Sequence, residues 1–184
     1  FRSVFDKTGT LTKAQPTVAE VVSFNGDSGD ELLKIAACLE EHFPHSMARA
    51  VVEAAKNRGI EHSEMHSKVE YIVAHGIASA IGDKRVVIGS AHFVFEDEKA
   101  SIPEDKKTLY EELPLEYSHL YLAIDGVLAA VICIEDPVRD EAVKVIRQLK
   151  AAGISKVVMM TGDSERTAAA IAKKVGVDEY YSEV

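Results

Sequence analysis

Apolar residues recur along this chain at strand spacing in some stretches and at helix spacing in others, and the switches between the two predict its elements. Val18, Val21, Val22 and Phe24 stand among polar neighbours and predict a strand over 16–24. The turn formers Asn25-Gly26-Asp27-Ser28-Gly29-Asp30 end it and offer Asp30 as a helix N-cap. Leu32, Ile35, Ala36 and Leu39 then share one face of a helix over 30–42. Phe43-Pro44 interrupts that helix, because the residue before a proline is driven out of the helical region. A second helix over about 46–58 buries Met47, Ala50, Val51, Ala54 and Ala55 and closes on Gly59. Strands are expected at 69–73, 77–81 and 85–88, with Gly82-Asp83-Lys84 turning between the last two. The charged stretch 96–118 has room for one helix over 105–112. Tyr121–Ile124 and Val127–Ile134, joined by Asp125-Gly126, form the clearest hairpin.

From Glu135 the pattern becomes alternating helix and strand. Asp136-Pro137 is expected to open a helix with Ala142, Val145, Ile146 and Leu149 on its buried stripe, ended by Gly153. A short strand over 157–160, a loop at Thr161-Gly162-Asp163 and a helix over 164–175 follow. Neither this half nor the Val4-Phe5 strand can cover its apolar face alone, so both are expected in one sheet. The reading is an α/β domain formed by 1–24 and 133–184, interrupted by an inserted α+β lobe over 25–132 with an antiparallel sheet. The chain crossings near 24 and 134 are expected to act as a hinge.

Composition changes the picture only at its edges. With 184 residues, 47% hydrophobic and 28% charged, the chain is of ordinary globular make-up rather than disordered. A net charge of -9 argues against nucleic acid as a partner, which needs clustered Lys and Arg. Cys38 and Cys133 each sit in an apolar run and read as reduced core thiols, which suits a cytosolic compartment. The longest apolar run, Val127–Ile134, falls far short of the roughly 20 residues of a membrane span. His42, His62, His66, His75 and His92 show no compact ligand spacing, so no transition-metal site is expected. The chain opens on Phe1-Arg2 without an initiator Met, directly ahead of its key motif.

The candidate chemistry begins at Asp6, a carboxylate at the end of the Val4-Phe5 strand, where α/β sheets bind ligands. Turn N–H groups and Lys7 are expected to gather a phosphoryl group that Asp6 attacks, forming an acyl phosphate. The Thr161 hydroxyl and the loop through Gly162 and Asp163, at the start of a helix, are expected to reach the same group.

Asp6-Lys7-Thr8-Gly9-Thr10-Leu11-Thr12 is identical to the phosphorylation signature of the P-type ATPases, the ion pumps of the haloacid-dehalogenase superfamily. Met160-Thr161-Gly162-Asp163-Ser164 resembles the second superfamily motif as pumps carry it, and Asp136-Pro137-Val138-Arg139 resembles their hinge-region motif. Soluble phosphatases of the superfamily place a general acid/base Asp two residues after the nucleophile. Here that position is Thr8, so the aspartyl phosphate is expected to be long-lived. Glu40 and His45, then Gly76 and Gly89, stand in the order and at about the spacing of the adenine- and ribose-binding residues of heavy-metal-transporting P-type ATPases. The chain departs from that pattern at Ser46 for Pro, Ala74 for the first glycine of a G-x-G, and Ser90 for Asn.

The resemblance implies a haloacid-dehalogenase-like Rossmannoid phosphorylation domain, incomplete at its C-terminus, with an inserted nucleotide-binding domain. It implies ATP as phosphoryl donor to Asp6 and Mg²⁺ held by the Asp6 carboxylate and the Thr8 carbonyl. It further implies membrane and actuator domains in the same polypeptide, a transported metal cation not bound here, and a cytoplasmic domain of an integral membrane protein. The third motif, with its Lys and paired Asp residues, would fall beyond Val184, so the fragment is expected to bind nucleotide but to be inactive alone. Because Glu40, His45 and Gly76 lie outside the phosphoryl site, that binding is expected to be weak and largely without Mg²⁺. A potassium-type pump, a haloacid-dehalogenase phosphatase (disfavoured by Thr8) and a stand-alone nucleotide-binding module are the alternatives.

Overall fold

The structure, a computed structural model, describes residues 1–41, 46–60, 70–72 (backbone only) and 76–184. In chain order it contains β1 (Arg2–Asp6), a tight turn over Lys7–Leu11, β2 (Thr17–Ser23), α1 (Gly29–Glu40), α2 (Ser46–Asn57), β3 (Glu70–Ile72), β4 (Gly76–Ile81) and β5 (Lys84–Gly89). A turn over His92–Asp97, a 3₁₀ turn over Glu104–Lys106, α3 (Lys107–Glu111), β6 (Ser118–Ile124), β7 (Val127–Glu135), α4 (Ala142–Ala151), β8 (Lys156–Met160), α5 (Glu165–Val175) and β9 (Glu179–Tyr181) complete it.

The chain forms two units. The first comprises 1–16, 115–118 and 135–184. It holds a parallel sheet in the order β1-β8-β9, so the opening strand and the βα half share one sheet as expected. Its core gathers Leu11, Ile146, Val157, Met159, Ala168, Ile171 and Val175, with Phe5 packed against them.

The second unit, 17–114 and 119–134, is built on a six-stranded sheet in the order β2-β7-β6-β5-β4-β3. From β3 to β6 each pair is antiparallel. Leu128–Ile134 of β7 are buried, as befits a strand between two others. The predicted β6–β7 hairpin closes through Asp125 and Gly126, whose φ values of 49° and 75° are both positive, the geometry an Asp-Gly two-residue turn supplies. Leu32, Leu33, Ala36 and Leu39 of α1 and Val51 and Ala55 of α2 pack with Ile88, Leu122, Ala130 and Ile132 of the sheet.

Several local expectations are corrected. The N-cap of α1 is Ser28, whose hydroxyl accepts from the Glu31 N–H at 3.2 Å, while Asp30 lies inside the first turn and pairs with Arg58. Residues 17–23, grouped in sequence with the first domain, are hydrogen-bonded into the sheet of the second unit. Asp136-Pro137 does not open a helix: Val138 bridges Thr12 as extended backbone, and α4 begins at Ala142. That segment's backbone bonds go to the turn after β1 (Lys13 N–H to Pro137 O, Arg139 N–H to Leu11 O), which a helix would forbid. Strand β9 and the turn at 92–97 carry no strong periodic signal and were not anticipated. Phe43, Pro44 and His45 lie outside the described residues. Cys38 and Cys133 are buried free thiols, and no helix among the described residues is long and apolar enough to cross a membrane.

Candidate functional site

Asp6 is the last residue of β1, exposed, and its Cα partner across the parallel pairing is Met160, the last residue of β8. That register brings the turn after Asp6 and the loop Thr161-Gly162-Asp163 to the same end of neighbouring strands. This is the carboxyl edge, where the N–H groups of following turns face outward.

The turn after Asp6 is shaped by glycine. Thr8 is extended (φ -75°, ψ 121°) and Gly9 has φ +81°, the left-handed region that L side chains rarely adopt. The Gly9 N–H donates to the Thr12 hydroxyl at 3.1 Å, and that hydroxyl donates to Asp136 Oδ2 at 2.5 Å. The Arg139 guanidinium donates to the Gly9 carbonyl at 3.2 Å. The residues legible only as a hinge-region motif therefore brace the turn that follows the candidate nucleophile.

Lys7, expected to help gather a phosphoryl group at Asp6, is 4% exposed, with its ammonium 2.5 Å from Asp163 Oδ2 and 3.0 Å from the Ser118 hydroxyl. An ammonium out of water needs a counter-ion, and Asp163 supplies one. Burial pushes the Asp163 carboxyl up. The Lys7 charge, with hydrogen bonds from Lys7, Ser118 and Thr161, outweighs that and holds it below the ordinary Asp value. Thr161 is likewise turned to this cluster: its hydroxyl donates to Asp163 Oδ2 at 2.9 Å and accepts from the Asp163 N–H at 3.1 Å. A Cβ on Gly162 would meet only the Val184 carbonyl, at an ordinary 3.7 Å.

Two contributors left no mark in the sequence. Ser118 lies 111 residues from Lys7, and the Tyr117 carbonyl accepts from the Thr167 hydroxyl on α5 at 3.2 Å. Both belong to Leu115–Ser118, four residues grouped with the first unit although the chain on either side belongs to the second. Partners so distant in sequence have no local spacing to reveal them.

No group of three His, Cys, Asp or Glu side chains able to hold a metal gathers among the described residues. Asp163, already paired with Lys7, is not a spare carboxylate. The Asp6 carboxylate and the Thr8 carbonyl fit the kind of Mg²⁺ site in which one or two protein oxygens are completed by phosphate and water.

In the second unit Glu40, the last residue of α1, is 2% exposed, and α1 packs on β4. Gly76 and Gly89 face each other across the β4–β5 pairing. A Cβ on Gly76 would stand 2.2 Å from Phe93 Cδ1 and 2.6 Å from the Ile88 carbonyl, so packing alone requires glycine there. Ser90 caps the following turn, its hydroxyl accepting from the Phe93 N–H at 3.2 Å. His45, the expected companion of Glu40, lies outside the described residues.

Comparison with known proteins places these features among relatives. The chain is 37% identical over 183 residues to Copper-transporting ATPase 2 of Rhizobium meliloti (strain 1021), covering 97% of this chain and 21% of that protein. It is 36% identical over 181 residues to a Zinc-transporting ATPase of Synechocystis sp. (strain ATCC 27184 / PCC 6803 / Kazusa), covering 98% and 24%. The chain thus spans about a fifth to a quarter of the length of these relatives. Among solved structures, the catalytic domain of the CPx-ATPase CopB-B, described in connection with nucleotide binding, superposes with a TM-score of 0.72 at 26% identity, over 100% of this chain and 61% of that one. The family description "haloacid dehalogenase-like hydrolase" matches residues 4–184, and with nearly its whole length matched the chain belongs to the haloacid dehalogenase-like hydrolases.

Proposed function

We propose that this chain is the phosphorylation and nucleotide-binding region of a heavy-metal-transporting P-type ATPase, in which ATP phosphorylates Asp6 to drive cation transport by the whole protein. The observation that carries the reading is the Asp6–Met160 register, which sets a carboxylate and the Thr161 loop at adjoining strand ends in a chain similar along its length to copper- and zinc-transporting ATPases. Asp6 is the nucleophile, forming the acyl phosphate as the γ-phosphorus–oxygen bond to ADP breaks. Lys7, Asp163 and Thr161 hold the two loops together beneath it. Thr8 leaves the intermediate without an adjacent proton shuttle.

Mg²⁺ held by the Asp6 carboxylate and the Thr8 carbonyl would neutralise charge on the transferring phosphoryl group. The second unit binds the adenine nucleotide, with Glu40, His45, Gly76 and Gly89 as its contacts. The protein's remaining partners are membrane and actuator domains of the same polypeptide, which would make this a cytoplasmic domain of an integral membrane protein.

The test is labelling of the full-length protein with γ-labelled ATP. Acid-stable label that hydroxylamine removes, and that Asp6→Asn abolishes, is the expected result. Label that survives Asp6→Asn would end the reading.

A further inference from the structure

Resting on that reading, we infer that Ser118 is a positioning residue for phosphoryl transfer at Asp6. Its hydroxyl, lent to the first unit by Leu115–Ser118, fixes the Lys7 ammonium against Asp163 and so holds the turn after β1 and the loop after β8 in one arrangement.

The geometry is specific. Ser118 is 6% exposed and belongs to the first unit through the segment Leu115–Ser118. Its oxygen accepts from the Lys7 ammonium at 3.0 Å, and its hydrogen bond to Asp163 is one of those that keep that carboxyl charged. One hydroxyl thus joins both members of the buried pair. An ammonium has three donors and a carboxylate two oxygens, so the Lys7–Asp163 contact by itself leaves each with capacity that burial makes costly to waste. Ser118 takes up part of it on both sides. The neighbouring Tyr117 carbonyl, accepting from Thr167 on α5, pins the same segment to the helix that follows Asp163. Lys7 is next to Asp6 in the chain and the turn between β1 and Leu11 is short. Looseness at the ammonium therefore passes directly to the candidate nucleophile, and misplacements of about an ångström can cost as much as about 10²-fold in rate.

The experiment is single-turnover phosphorylation of the full-length protein from γ-labelled ATP. It compares wild type, Ser118→Ala, Ser118→Thr, Lys7→Met and the Lys7→Met/Ser118→Ala double variant, with ATP affinity measured for each. Ser118→Ala is expected to slow labelling by about 10–100-fold with ATP affinity unchanged, and Ser118→Thr, which keeps the hydroxyl, to restore most of the rate. In the Lys7→Met background, Ser118→Ala is expected to slow labelling less than it does in wild type, because much of the hydroxyl's effect passes through the ammonium. Wild-type labelling with an indifferent Ser118→Ala, equal slowing in Ala and Thr, or losses that multiply in the double variant would each overturn the inference while leaving Asp6 chemistry standing. No label on wild-type protein would remove both. Should Ser118→Ala lose ATP binding through misfolding, Ser118→Cys, similar in volume but a weak donor, carries the same comparison and the same expected slowing.

Discussion

The Lys7 ammonium and the Asp163 carboxylate lie 2.5 Å apart with 6% and 8% of their side chains exposed, joining the turn after the first strand to a loop 156 positions later. Breaking a buried pair by removing one partner strands the other charge. Lys7→Met or Asp163→Asn is therefore expected to destabilise the first unit by about 3–5 kcal/mol. The double variant Lys7→Met/Asp163→Leu, which leaves no buried charge, is expected to recover much of that loss. Urea unfolding of the single and double variants measures it; additive losses would mean that the pair is not acting as a unit.

The same pair sets an acid limb of stability. Folded Asp163 titrates below its unfolded counterpart, so the unfolded chain takes up the proton first as pH falls. Its stabilising contribution is complete above the unfolded value of about 3.9 and is lost as pH drops through the folded value. The stability gap between wild type and Asp163→Asn is expected to be level from about pH 7 to about pH 5 and to narrow below about pH 4, read from urea unfolding at each pH. A gap that widens in acid would contradict the assignment.

On the proposed reading, Thr8 stands where a carboxylate would speed hydrolysis of an acyl phosphate on Asp6, and it is exposed on extended backbone that an Asp can adopt without strain. In the full-length protein, Thr8→Asp is expected to shorten the phosphoenzyme lifetime by about 10²–10⁴-fold and to lower its steady-state level. Chase with unlabelled ATP measures the lifetime. An unaltered decay would detach intermediate stability from the residue at position 8.

Gly76 is held to glycine by its neighbours. Gly76→Ala is expected to cost about 1–3 kcal/mol in the second unit, since the new methyl meets the Phe93 ring and the Ile88 carbonyl at less than contact distance. Phe93→Leu in the same background is expected to return part of that loss by removing the ring but not the carbonyl. If Gly76→Ala weakens ATP binding without any loss of stability, the glycine serves the nucleotide rather than the packing.

Elements whose partners are close in sequence were legible from residues alone. Asp125-Gly126 between apolar runs specified a hairpin, and Leu32 through Leu39 specified a helix face, because both signals are local. Where the signal was local but ambiguous it misled. A proline after Asp136 suits a helix start, and only the backbone bonds to Leu11 and Lys13 hold that segment extended. Strand β2 shows the same limit, since nothing in its alternation says which sheet takes its hydrogen bonds.

The sequence by itself determined the chemical groups available: a carboxylate at a strand end, a hydroxyl where a second carboxylate would stand, and a glycine at the following bend. Only the tertiary structure decided where the charge beside that carboxylate goes. Lys7 is drawn inward by Asp163 and Ser118, residues far along the chain, because a buried ammonium needs a counter-ion and a hydrogen-bond acceptor wherever the fold can bring them.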